Sequence, residues 1–245
     1  MSPWLAVALA VVAGSAVKAV TGMGLPPVAL PVLAMFVGVE DAVVIMSLPT
    51  LVTNGALVTG NWQHRRENPV LGRMVALSAT GGIAGAWLLT NLDERAIAIA
   101  MGALVLTYVA TRMRRNGAAL SIARARRWST PVALSGGVLQ GATGLSGPLF
   151  GSFLHAQALR PPVFVFSIAA LFQFSALAQL VTLAALGRYD GHLLALSSLA
   201  SALALAVVLV VRPFAGRVPL RAFDSLVLVV LVGSVAKMLY DAFDG

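Results

Sequence analysis

The sequence predicts an all-α fold: a polytopic membrane helical bundle of two inverted repeats, each a re-entrant or broken helical hairpin followed by three transmembrane helices. Three observations lead there. Apolar residues make up 59% of the 245 and charged residues only 11%, with the charges gathered in short clusters between apolar runs. The basic residues fall almost entirely on one side of the layer that those runs define. The stretch "KAVTGMGLPP" at 18–27 interrupts a membrane-like run with a charge, two glycines and two prolines, and it recurs as "QGATGLSGPL" at 140–149, 122 residues later.

Runs of about 20 apolar residues are what a hydrocarbon layer of roughly 30 Å demands of a helix. Such segments fall near 4–20, 22–38, 42–60, 69–90 and 93–111, and after a polar stretch near 130–142, 144–159, 163–187, 192–211 and 219–240. This composition excludes several functions. A net charge of +8 would suit nucleic acid if the basic residues shared a folded face, but they sit in loops beside membrane segments. No nucleic-acid partner is expected. There is no cysteine, hence no disulfide or thiolate metal site. His64, His155 and His192 are too scattered to suggest a metal centre. No cofactor and no metal is expected. No basic residue precedes Lys18, so the first segment lacks the charged start of a signal peptide and reads as mature protein.

The chain divides into a first repeat at 1–111, a basic linker at 112–129 and a second repeat at 130–245. By the positive-inside rule the linker, with Arg112, Arg114, Arg115, Arg124, Arg126 and Arg127, is cytoplasmic. Threading outward from it puts the loop "NWQHRREN" (61–68), Arg73, Arg160, Arg212, Arg217 and Arg221 inside as well. The turns carrying Glu40 and Asp41, Asp93 and Glu94, and Asp190 fall outside, as do both termini. That makes 13 basic residues inside, against Arg95 and Arg188 in outer loops and Lys18 and Lys237 within segments. Segments 4–20 and 22–38 then leave from and return to the outside, and 130–142 and 144–159 do the same from the inside. The arm at 130–142 has only about 13 residues, or roughly 20 Å, short for a full span.

Aligned without gaps, Gly14, Thr21, Gly22 and Pro26 fall on Gly136, Thr143, Gly144 and Pro148. At the start of both halves this reads as an internal repeat. A break at mid-membrane frees backbone N–H groups that nothing apolar can satisfy. Thr21 and Thr143 are suited to N-capping, Pro26 and Pro148 to the first helical turn. Gly22, Gly24 and Gly144 let backbone approach a ligand, and Ser146 sits in the second tip. Two tips meeting from opposite sides aim two helix N-termini, each partly positive, at one spot that prefers an anion. Lys18 adds a full charge one turn before the first tip, and its counterpart Gln140 offers amide donors. An ionisable residue within a membrane segment points to function. Asn54, Gln173 and Gln179 lie inside spanning helices, where polar residues either line a pathway or bond a neighbouring helix. Asn54 and Gln173 are taken as candidate substrate ligands with the tip residues.

The hairpin-plus-three arrangement met twice, the glycine-rich tips "TGMGLPP" and "TGLSGPL" and the basic central linker resemble the sulfite exporter TauE/SafE family, also called toluene sulfonate uptake permeases. The resemblance covers nearly the whole chain. It implies a membrane transporter of sulfite, thiosulfate or organosulfonate, and not an enzyme. The partners implied are a small anionic substrate and the lipid bilayer of the cell (inner or plasma) membrane, with a homodimer as the candidate assembly.

Two other readings compete. "GLSG" at 144–147 matches the short G-x-S-G pattern of rhomboid-type intramembrane serine proteases, with Ser146 as nucleophile and a histidine as base. Against it, the repeat accounts for the match, and the equivalent tip "GMGL" has no serine. A non-transporting membrane subunit of a larger complex is the other.

No Asp or Glu lies deep in an apolar segment, so a carboxylate proton relay is not visible. Export of an anion does not need one. With the cell interior negative, moving one negative charge outward gains about 2.3 kcal/mol per 100 mV. The predicted topology is checked by labelling single cysteines with an impermeant reagent in intact cells. Gly245→Cys is expected to react from outside, and Ala119→Cys only after permeabilisation; reaction of Ala119→Cys in intact cells would sink the inverted arrangement.

Overall fold

The computed structural model describes residues 3–21, 25–113 and 120–211. Within these the chain is helical, with nine α-helices, one short 3-10 turn and no strand. They are α1 (Pro3–Thr21), α2 (Leu25–Val37), α3 (Val39–Gly60), α4 (Leu71–Asn91), α5 (Glu94–Met113), α6 (Ile122–Thr143), α7 (Gly147–Ala156), α8 (Pro161–Ala185) and α9 (Gly191–Val211). The segment expected at 219–240, the loop arginines Arg212, Arg217 and Arg221, and Gly22 and Gly24 of the first tip lie outside the described residues.

Three helices, α3, α8 and α9, are long and apolar enough to cross a membrane. The outward faces of α8 and α9 carry large apolar side chains, among them Val181, Leu194, Leu209 and Val210. Contiguous exposure of that kind is out of place in water and natural in lipid. α4 has 21 residues, but Gly72, Arg73, Ser78, Thr80, Gly81, Gly82 and Gly85 dilute its apolarity. Gly81, Gly82 and Gly85 among them have a packing purpose.

α6 differs from expectation. The apolar run suggested an arm of about 13 residues, whereas the helix has 22 and begins in the basic stretch. Ser121 caps it by accepting from the backbone N–H of Arg124, so Arg124, Arg126 and Arg127 ride on its first turns as exposed side chains. An apolar run marks where a membrane begins, not where a helix does. The second arm, α7, is the short one: 10 residues, about 15 Å.

The centre of the bundle is the pair α3 and α8, which run antiparallel and are tied at both ends. At the start of α3, Glu40 pairs with Arg188 just past the end of α8 at 2.6 Å. Beyond the end of α3, Glu67 accepts from Arg160, the residue that caps α8. Hydrogen bonds with His64 and then Arg160 hold the Glu67 carboxyl below its usual range, so the charge on this side of the tie is lost only in acid. α4 packs against α6 and α8, α9 against α3 and α1, and α1 against α2. Pro49 inside α3 cannot donate to the carbonyl four residues back. That carbonyl, Ile45 O, accepts instead from Ser197 Oγ of α9 at 2.9 Å. A helix irregularity in a membrane is thus repaired from a neighbouring helix.

The closest seam is between α4 and α6, where Gly81 and Gly85 face Gly137 and Gly141. A methyl group added at Gly85 would fall 2.1 Å from Val138 O, and one at Gly141 2.3 Å from Gly82 O. Backbone touches backbone, which only small residues allow. Gly72, on the same helix, meets nothing within 4 Å. Gly141→Leu and Gly85→Val are therefore expected to destabilise the purified protein by about 1–3 kcal/mol or more, since backbone cannot rotate away. Gly72→Ala is expected to leave stability unchanged or slightly raised. Thermal unfolding in detergent, followed by tryptophan fluorescence, checks the contrast; equal melting of all three variants would contradict the seam.

Candidate functional site

In the first hairpin α1 and α2 lie so close that a methyl group at Gly14 would sit 2.7 Å from Leu25 O. Pro26 and Pro27 occupy the first turn of α2, where fixed φ angles and missing N–H groups are tolerated. One turn before α1 ends, Lys18 is buried, with 3% of its surface exposed. Its Nζ donates to Asn54 Oδ1 on α3 at 2.6 Å.

The second hairpin breaks in a describable way. α6 ends at Thr143, and Gly144 follows at φ +69°, in the left-handed region that glycine alone adopts freely. Its N–H donates to Gln140 O at 2.8 Å. Thr143 Oγ1 donates to Leu139 O at 2.7 Å and accepts from the Leu145 N–H at 3.2 Å. Gln179 of α8 donates to Gln140 O and Gly141 O, both at 2.9 Å. Thr143 therefore secures the end of the first arm and does not cap the second. The residue before α7 is Ser146, whose Oγ makes no capping bond and donates instead to Gln140 Oε1 at 2.7 Å. The early N–H groups of α7 have no partner within the helix, Pro148 excepted because it has none to offer.

The two hairpins meet. Leu30 of α2 lies against Gly144, where an added methyl would fall 2.7 Å from Leu30 Cδ1. Beside this contact is a small cavity with an open mouth. Lys18, Pro26 and Pro27 line it from the first hairpin, and Gln140 and the stretch from Gly144 to Gly147 from the second. Thr50 and Asn54 of α3 and Phe172 of α8 complete the wall. Of the expected residues, Lys18, Asn54, Gln140, Gly144 and Ser146 come together here. Thr143 is buried next to the break but does not line the cavity. Gln173 does not reach it either: its amide lies 3.8 Å from where a methyl on Gly55 would be, and its Oε1 has no partner. Thr21 ends α1, and Gly22 and Gly24 lie outside the described residues. Thr50 and Phe172 went unread, although they share the 122-residue spacing of the two tips and that signal could have found them.

The lining contains a lysine and no carboxylate, and the start of α7 adds partial positive charge. The serine protease geometry is not present. Ser146 is bonded to an amide, while His155 packs on Phe164, His192 meets Trp4 edge-on and His64 bonds Glu67.

Broken helices that meet around a small cavity within a membrane bundle are a recurring feature of membrane transporters. The chain belongs to the sulfite exporter TauE/SafE family, whose family model matches residues 6–238. Membership makes it a membrane transporter of sulfur-containing anions and not an enzyme. No curated protein and no solved structure matches it.

Gly144→Val is expected to destabilise the protein by about 1–3 kcal/mol from backbone strain alone, with a further loss from the clash with Leu30. Leu30→Ala in the same chain is expected to relieve the clash and not the strain, so the double variant should recover only part of the loss of melting temperature. A Gly144→Val protein that melts like wild type would mean that the break is built differently.

Proposed function

We propose that this protein exports small sulfur-containing anions, sulfite, thiosulfate or an organosulfonate, by binding them between the tips of the two hairpins near the middle of the membrane. The observation that carries this reading is Lys18, a buried ammonium whose partner is a neutral amide, facing a cavity that the second hairpin closes. An anion entering there meets a full positive charge from one hairpin and a helix N-terminus from the other.

The inverted-repeat reading belongs with this proposal. It is supported by the element boundaries: α1 and α6 end at 21 and 143, α2 and α7 begin at 25 and 147, and α3 and α8 begin at 39 and 161, a shift of 122 each time. It is also supported by the packing, since α4 against α6 has its counterpart in α9 against α1, and α4 against α8 in α9 against α3. The ties Glu40–Arg188 and Glu67–Arg160, one at each end of α3, fit the same relation. Two like halves pinned at opposite ends form a natural frame for exposing a central site to either side in turn. The orientation follows from the positive-inside reading, with the linker cytoplasmic. Outward flow of an anion is then driven by the membrane potential, by about 2.3 kcal/mol per charge per 100 mV.

Lys18→Gln removes the charge and keeps a polar side chain, so sulfite flux in proteoliposomes is expected to fall at least tenfold while the protein still purifies as a single species. Lys18→Glu is expected to abolish flux, because a negative charge then occupies the place of a negative substrate. If Lys18→Glu carries sulfite as well as wild type, Lys18 is structural and the anion site lies elsewhere.

A further inference from the structure

Asn54 carries more information than a polar residue that happens to line a cavity. A lysine ammonium has three donors and no acceptor, so the Asn54 atom 2.6 Å from Lys18 Nζ has to be the carbonyl oxygen Oδ1. The amide orientation is thereby decided, and Nδ2 is left as a donor that the lysine does not use. Asn54 has no exposed surface, and Nδ2 has no hydrogen-bond partner. An unpartnered buried donor is costly and rare, and this one belongs to a residue on the wall of the cavity shared with Lys18, Gln140 and Ser146.

We infer that Asn54 is the specificity-determining residue of the anion site: its Oδ1 holds the Lys18 ammonium in place without neutralising it, and its Nδ2 donates to the same bound oxyanion. This rests on the transport reading above. Aspartate at this position would hold the lysine more firmly but cancel its charge, and the site would lose its attraction for anions. An apolar residue would leave the charge and remove both the anchor and the second donor. Asparagine alone of the three does both tasks. Nζ and Nδ2 are two donors linked through the one amide group of Asn54, so they suit an anion that presents two or more acceptor oxygens. A spherical halide can use the charge but not the pair. The site therefore sorts anions by shape as well as by charge, favouring a sulfite or sulfonate head over chloride.

The test uses purified full-length protein and three probes: sulfite, methanesulfonate and chloride. The last two carry the same charge and differ in offering three oxygens or none. Binding is read by calorimetry and by thermal shift, with folding checked by monodispersity. Wild type is expected to prefer methanesulfonate to chloride at least tenfold. In Asn54→Ala, methanesulfonate and sulfite affinity should drop about tenfold or more while chloride binding changes little, so the preference collapses. In Asn54→Asp, binding of all three should be lost. Asn54→Ser, which keeps a small polar group, decides the matter if the aspartate variant does not fold, and it should also lose the preference. An unchanged preference in Asn54→Ala or Asn54→Ser, with wild type binding normally, overturns the role of Asn54 and leaves the transport reading standing. A wild-type protein that binds none of the probes overturns both.

Discussion

A polypeptide backbone can be interrupted inside a membrane only where protein groups take over the hydrogen bonds that the helix gives up. The rest of this structure depends on how that condition is met at Gly144. The left-handed glycine returns its own N–H to Gln140 O, Thr143 takes the N–H of Leu145, and Gln179 reaches across from α8 to two carbonyls of the last turn of α6. The glycine seam with α4 holds α6 at the separation that the arrangement requires. With Gln140 O and Gly141 O provided for, the N–H groups at the start of α7 are left beside the cavity without a partner inside their helix. A stable interruption and a site for negative charge are two consequences of the same local chemistry.

The distribution of acids follows from this. Glu40 and Glu67 are placed at the two ends of the central pair α3 and α8, where arginines meet them and water is near. The cavity lining, by contrast, holds Lys18 and no carboxylate. A buried charge ordinarily demands an opposite one, because desolvation is expensive. Meeting that demand with an amide keeps the cation immobile and its field intact. On the proposed reading the charge is balanced only when an anion arrives, so the loaded site would be the more stable one and selective for sign.

Much of this was legible in the sequence. The two interruptions, their spacing, and Lys18, Gln140, Gly144 and Ser146 could all be read from residue types that have no place in a plain membrane span. Asn54 could be read too, because an amide in an apolar run has to be paired with something. What escaped was whatever depends on helix rotation. Phe172 faces the cavity and Gln173 does not, although polarity pointed to the glutamine; neighbouring helix positions differ by about 100°, and only packing says which is turned inward. Gly14 and Gly136 matched in the alignment for a reason other than ligand contact, since each lies against the second arm of its own hairpin, at Leu25 and Phe150. The start of α6 was hidden because arginine and alanine favour helix as much as leucine does, so the basic stretch continues a helix that the apolar pattern does not mark.

The two tips, though related in sequence, do not offer an anion the same things. Pro26 and Pro27 stand together at the start of α2 and remove two N–H groups from the turn that would face a ligand. The corresponding turn of α7 has glycine then proline, so it loses only one, and Ser146 adds a hydroxyl beside it. The first hairpin instead contributes Lys18, where the second has Gln140. One half therefore supplies charge without direction, and the other supplies directed hydrogen bonds with little charge. An oxyanion needs both, because charge alone does not distinguish it from a halide and a single helix terminus is too weak to hold it in a dehydrated site. On the proposed reading, the differences at the paired positions 18 and 140, and 27 and 149, make the meeting point asymmetric enough to recognise a substrate that has a charged end and a shape.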